Sequence, residues 1–176
     1  MHDTPNGAKG RNDLVFTPKS LAKKIIDHFA PSGIVLDPSA GEGAFTEMLA
    51  LYSDEKPGRI SKIDWCEITK GRDFFGYSKK VNWIITNPPW SKLRDFMLHG
   101  YDVADNVVYL MTINHVFTKA RLRNMVEHGF GIKEIFCFDT PPNFPGSGFQ
   151  CGAVHFQRDY DGPTTISFDN QETTNE

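Results

Sequence analysis

No stretch of the sequence approaches the roughly 18 consecutive apolar residues that a membrane span requires, and the amino-terminal MHDTPNGAKGRND has no apolar core of the signal-peptide kind. Cysteine is scarce and unpaired. Cys66, Cys137 and Cys151 form no CxxC, and each lies in or beside an apolar run, which suits buried free thiols rather than disulfides or zinc ligands. These absences point to a soluble, cytoplasmic protein in a reducing compartment, with no membrane partner and no metal. Positive charge is not in excess either. Nineteen Lys and Arg against 22 Asp and Glu give a net charge of -3 and a pI near 6.1, so any contact with nucleic acid must be local. Internal repeats and low-complexity linkers are missing as well. With 176 residues at 39% hydrophobic content there is enough chain for one domain with a sizeable core, expected over residues 1–168, and the polar stretch 169–176 is expected to be a disordered tail.

What is present is an alternation. Thr17-Pro18 ahead of KSLAKKIIDHFA reads as an N-cap and a proline at the first helical position, with Leu21, Ile25, Ile26 and Phe29 at helical spacing before Pro31 and Gly33. Short apolar runs at 34–36, 63–68, 82–86, 107–112, 132–138 and 152–157 read as strands, and 44–52, 91–104 and 119–128 as helices. Strands alternating with helices argue an α/β domain built on a mainly parallel sheet with helices on both faces. Ligands of such sheets bind outside the carboxyl ends of the strands.

The unusual residues collect at those ends. After the first strand comes DPSAGEGAF, Asp37 to Phe45, where Gly41 and Gly43 let a ligand approach the backbone ahead of a helix, although a tight turn alone would account for them. The loop is not GxxxxGK[ST] or GxGxxG, so it does not read as a phosphate cradle. Glu67, near the end of the second strand, has the chemistry to accept hydrogen bonds from two ribose hydroxyls. In GRDFF, Asp73 can accept from a purine amine while Phe74 or Phe75 packs on the ring. The run Val81-Asn82-Trp83-Ile84-Ile85 then stops stiffly on Asn87, Pro88, Pro89 and Trp90.

Taken in order, DPSAGEGAF, Glu67, GRDFF and NPPW resemble the S-adenosylmethionine-dependent amino-methyltransferases of the NPPW type that modify adenine N6 in DNA, and Phe16 to Pro18 resembles that family's additional N-terminal motif. The likeness covers about residues 14–157. It implies a Rossmann-like class I methyltransferase fold. It also implies that Asp37, Gly41 and Gly43 hold the methionine part of S-adenosylmethionine, with Thr17 at its carboxylate, Glu67 at the ribose, and Asp73 with Phe74 at the adenine. Asn87 and Pro88 would accept the two N–H bonds of the target amine, Pro89 would stiffen the loop, and Trp90 would stack on a flipped-out base. The same pattern is compatible with an adenine in RNA, with a protein glutamine amide, or with a non-catalytic subunit that keeps the fold. Cytosine fits less well, because enzymes of that specificity resemble this site with Ser in place of Asn87.

Two departures carry expectations of their own. Between Ile68 and Val81 there is too little chain for another strand with a crossover helix, so the strand at 63–68 is expected to be outermost in a sheet of six strands, the last antiparallel. A target-reading domain has no room either. Candidate DNA contacts are Lys92, Arg94, Lys119, Arg121 and Arg123, with the loop Thr140 to Phe149, and a second subunit is the expected source of any longer sequence specificity.

Overall fold

The computed structural model describes residues 15–144 and 148–169. Helix α1 (Lys19–Phe29) buries Leu21, Ala22, Ile25, Ile26 and Phe29 on one face and ends where Ala30 turns left-handed, with φ 49°. Its N-cap is Pro18, not Thr17. Pro18 has an extended ψ of 138°, so its carbonyl takes the Ala22 N–H while the ring, which has no donor to lose, stands outside the helix. Thr17 is thereby released from capping and is buried.

Strand β1 (Gly33–Asp37), helix α2 (Ala44–Glu55) and strand β2 (Ile60–Trp65) follow, then β3 (Val81–Thr86), helix α3 (Leu93–Val103), β4 (Ala104–Thr112), helix α4 (Lys119–Glu127), β5 (Phe130–Cys137), β6 (Cys151–Arg158) and β7 (Thr165–Phe168). They form one sheet in the order β2-β1-β3-β4-β6-β5-β7. The β1 pairings with β2 and β3, and that of β3 with β4, are parallel; β6 runs antiparallel to both β4 and β5. Successive side chains point to opposite faces. Val35, Ile85, Val108 and Leu110 therefore join the core under α1 and α2, while Leu36, Ile84, Val107, Tyr109 and Met111 join the core under α3 and α4. Cys137 and Cys151 fall into opposite cores, and all three cysteines are buried and free. Among the described residues no helix is long and apolar enough to cross a membrane.

At one edge the expectation holds: β2 is outermost, and residues 69–80 contribute no strand. Two 3-10 turns, Ile68–Lys70 and Phe74–Gly76, replace the crossover. The exposed edge carries Lys62 and Asp64, and Arg72 both pairs with Asp64 at 2.7 Å and lies over the Trp65 ring at 4.1 Å, charges that discourage further strand pairing.

At the other edge the sheet has seven strands, not six. Strand β7 pairs in parallel with β5, on the side away from β6. The chain leaving β6 must cross the end of β5 to reach that position, and Gly131 makes the crossing possible: a Cβ there would lie 2.1 Å from the Tyr160 carbonyl oxygen. Ser167 of β7 donates to Glu134 at 2.6 Å, His28 of α1 meets the same carboxylate oxygen at 2.6 Å, and Asp169 pairs with Lys24. Asp169, expected at the start of the tail, is thus bound to α1. The rest of that expected tail, 170–176, lies outside the described residues.

Replacing Gly131 by alanine forces the Tyr160 carbonyl away from β5. The expected loss is about 1–3 kcal/mol of unfolding free energy by urea denaturation, and an unchanged midpoint would show that the crossing is looser than this contact.

Candidate active site

Strand order reverses between β1 and β3: from β1 the sheet grows outward to β2 on one side and to β3 and β4 on the other. That switch point opens a cleft at the strands' carboxyl ends. Its volume is about 680 Å³, and its walls come from the segment before α1, the loop after β1, the turns after β2 and the loop after β3. Thr17, Gly41, Glu67, Asp73, Phe74, Asn87, Pro89 and Lys92 all line it, so these residues, far apart in sequence, are brought together. Asp37, Gly43, Pro88, Trp90, Arg94, Lys119, Arg121 and Arg123 are not among the lining residues.

Asp37 is fully buried. Its carboxylate accepts the Thr86 hydroxyl at 2.7 Å, the Thr46 hydroxyl at 3.1 Å and the Ser39 amide at 3.4 Å. Burial pushes its pKa up to about 6, against the pull of those donors. Ser39 also hydrogen-bonds Thr86 at 2.9 Å and donates to the Asn87 carbonyl at 2.9 Å, which ties the glycine loop to the loop after β3. Sequence reasoning missed Ser39, Thr46 and Thr86; the adjacency of β1 and β3 is what brings them together.

Glu67 lies beyond β2, capping the first 3-10 turn. One oxygen accepts the Gly41 amide at 2.8 Å and the other accepts the Thr69 amide at 3.0 Å and hydroxyl at 2.7 Å. Burial opposes its charge, but these donors and nearby Lys70 outweigh it and hold the pKa below the usual value. Lys70 closes the corner by donating to the Gly41 carbonyl at 3.0 Å. Asp73 caps the second turn through Phe75 N–H at 3.0 Å and remains exposed. Phe74 is buried against Phe96 and His99, whereas Phe75 is 40% exposed, so both aromatics border the cleft but Phe75 offers more free ring surface.

Asn87 donates from Nδ2 to the Val15 carbonyl at 3.2 Å, while its Oδ1 is shut from solvent with no hydrogen-bond donor among the described residues. Pro88 is buried and Pro89 half-buried. Trp90 is half-buried; its indole N–H donates to the Leu110 carbonyl at 3.3 Å, and His115 and Phe144 stand at steep angles to its ring, each 6.2 Å away.

No sequence family matches the chain, and no curated protein does. Solved structures do. A protein from Listeria monocytogenes assigned as a class I S-adenosylmethionine-dependent methyltransferase gives a TM-score of 0.67 at 11% identity, over 93% of this chain and 68% of that one. One from Pyrococcus horikoshii assigned as an RNA methyltransferase gives 0.57 at 15%, over 85% and 88%. The M protein of the type I restriction enzyme EcoKI gives 0.59 at 16%, over 85% of this chain, which spans 45% of the EcoKI protein. The fold is that of the class I methyltransferases. Within this methyltransferase fold the two 3-10 turns after β2 take the place of a crossover helix and carry Glu67, Asp73 and Phe74 to the cleft.

The basic residues divide by surroundings. Lys92 lines the cleft and is exposed. Arg121 donates to the His115 carbonyl at 2.6 Å and bears on the loop after β4; burial, with the nearby charge of Arg94, lowers its pKa. Arg123 pairs with Glu127 one turn along α4, and Lys119 stays exposed. Of the loop Thr140 to Phe149, residues 145–147 lie outside the described residues.

The raised pKa of Asp37 has a sign that can be tested. Its neutral form suits the folded state, so the contribution is fully present below its unfolded pKa of 3.8 and is lost as pH rises through about 6. Between pH 4 and pH 7 the natural chain should lose on the order of 2 kcal/mol relative to Asp37→Asn. Parallel pH–stability curves from urea titrations would sink this assignment.

Proposed function

We propose that the chain transfers a methyl group from S-adenosylmethionine to the exocyclic amine of adenine in DNA, acting on a base turned out of the helix. One observation carries the reading: Asn87 Oδ1, at the cleft wall, is a buried acceptor with no hydrogen-bond donor among the described residues. Leaving such a group unpaired costs about 1–3 kcal/mol, and the N–H of a substrate amine is the partner it lacks.

The rest of the cleft fits the cofactor. When bound, S-adenosylmethionine supplies an electrophilic methyl group on a sulfonium. Glu67, kept ionised by its donors, accepts the ribose hydroxyls, and Asp73 beside Phe74 and Phe75 receives the adenine. Thr17 and the amino end of α1 favour the methionine carboxylate, while Gly41 admits the ligand close to the backbone. Asp37 enters as a brace for the loop rather than as a contact, since it is fully buried and does not line the cleft. An adenine amine is a poor nucleophile because its lone pair is delocalised into the ring. Acceptance of its N–H bonds by Asn87 Oδ1 and the Pro88 carbonyl draws nitrogen toward tetrahedral geometry and frees that pair for attack. The prolines hold both acceptors still. Trp90, its plane fixed by the Leu110 carbonyl, offers a stacking surface worth about 1–3 kcal/mol per base. Lys92, Arg94, Lys119, Arg121 and Arg123 supply a modest phosphate attraction, and a second subunit supplies longer sequence recognition.

Asn87→Ala is expected to slow methyl transfer by about 10² to 10³ while leaving cofactor affinity nearly unchanged. Near-native turnover in that variant would refute the role. Glu67→Ala is expected to weaken S-adenosylmethionine binding in calorimetry. Labelled-methyl transfer to duplex DNA, to RNA and to protein sorts the substrates: RNA adenines and glutamine amides present the same planar N–H to Asn87, and exclusive labelling of either displaces DNA from the reading.

A further inference from the structure

The segment ahead of α1 touches three loops at once. The Val15 carbonyl accepts the Asn87 Nδ2–H bond at 3.2 Å, on the loop after β3. The Phe16 ring lies where a Cβ on Gly41 would meet it at 3.4 Å, on the loop after β1. The Phe16 carbonyl accepts the Asn143 Nδ2–H bond at 2.9 Å, on the loop after β5. Val15, Phe16, Thr17 and Asn87 line the cleft, whereas Asn143 is exposed and is not among the lining residues. Residues 15–17 therefore form a strap that reaches the Asn87 amide at one point and is tethered from outside the site at another.

A primary amide has an acceptor end and a donor end, exchanged by a half-turn of its terminal bond. Only the acceptor end serves a substrate N–H. With Val15 taking Nδ2–H, the half-turn would set Oδ1 against another carbonyl oxygen and point Nδ2 at the substrate amine, donor against donor. Both mismatches disfavour the turned amide. We propose that Val15–Thr17 is an orientation lock on Asn87, and that Asn143 is the positioning residue that keeps the lock closed. The proposal rests on the reading of Asn87 as the acceptor for the substrate amine. It gives the loop after β5 a route to the reacting nitrogen that needs no contact with substrate or cofactor.

The test uses the full chain and compares Asn143→Asp and Asn143→Gln, each alone and combined with Asn87→Ser, for kcat and for S-adenosylmethionine affinity. Aspartate keeps the size of Asn143 but sets an acceptor against the Phe16 carbonyl, whereas glutamine keeps the donor. A serine hydroxyl at position 87 rotates to offer a lone pair whichever way its neighbours point, and so needs no lock. The expected results are a fall in kcat of about fivefold in Asn143→Asp with cofactor affinity held within about twofold, recovery in Asn143→Gln, and no added loss on top of Asn87→Ser. An unchanged kcat in Asn143→Asp overturns the lock, as does a glutamine variant equally slow, an equal loss in the Asn87→Ser background, or a slowing that tracks weaker cofactor binding. Failure of the underlying reading shows separately, as an Asn87→Ala chain that keeps its rate.

Discussion

The carboxyl of Asp37 is the point on which the site converges. Shut away from water, it collects a hydroxyl from the end of β3, a hydroxyl from α2 and a backbone amide from the loop between β1 and α2. A carboxylate has about four lone-pair sites on two oxygens, which lets so small a side chain accept all three donors at once. Through Ser39, which bonds both Thr86 and the Asn87 carbonyl, the brace extends to the first residue of the NPPW turn. The glycine loop and the proline loop thus share one polar knot, and neither can shift without breaking its bonds. The elevated pKa of Asp37 is the cost of this arrangement in a low-dielectric setting.

The features legible in the sequence are those with local causes. Apolar runs at β1, β3, β4, β5 and β6 mark buried strands because each is bounded by turn residues, and the short span after Ile68 excludes a further crossover on length alone. Glu67, Asn87 and Gly41 converge because all three follow strands whose carboxyl ends meet in any such sheet. Features with distant causes are hidden. Strand β2 is displaced from 63–68 to Ile60–Trp65 because its bounds follow its register with β1, Gly33 against Ile60 and Asp37 against Trp65. The exchange of Thr17 for Pro18 at the helix start turns on a single ψ angle. Strand β7 hides because a four-residue edge strand buries little: Ile166 and Phe168 stay exposed, so the alternation in TISF carries no core signal.

The cleft also combines two kinds of wall. On the β3 side, Asn87 and Pro89 form the wall, and the adjoining Pro88 and hydrogen-bonded indole of Trp90 leave that loop few rotatable groups. On the β2 side, short 3-10 turns are pinned by side-chain caps from Glu67 and Asp73, residues that also line the cleft. A ligand engaging these capping carboxylates would bear directly on the stability of the turns that present them.

The position of β7 bears on how the chain is made. Lys24, His28 and Glu134 find their partners Ser167 and Asp169 only at the far end of the described chain. On the ribosome, α1 and β5 emerge long before that end does, leaving the outer hydrogen-bonding row of β5 open in the interval. Until the connection at Tyr160 crosses over Gly131 and Thr165 to Phe168 pair with β5, the nascent sheet presents an unpaired border, the surface through which strands of neighbouring chains add to one another.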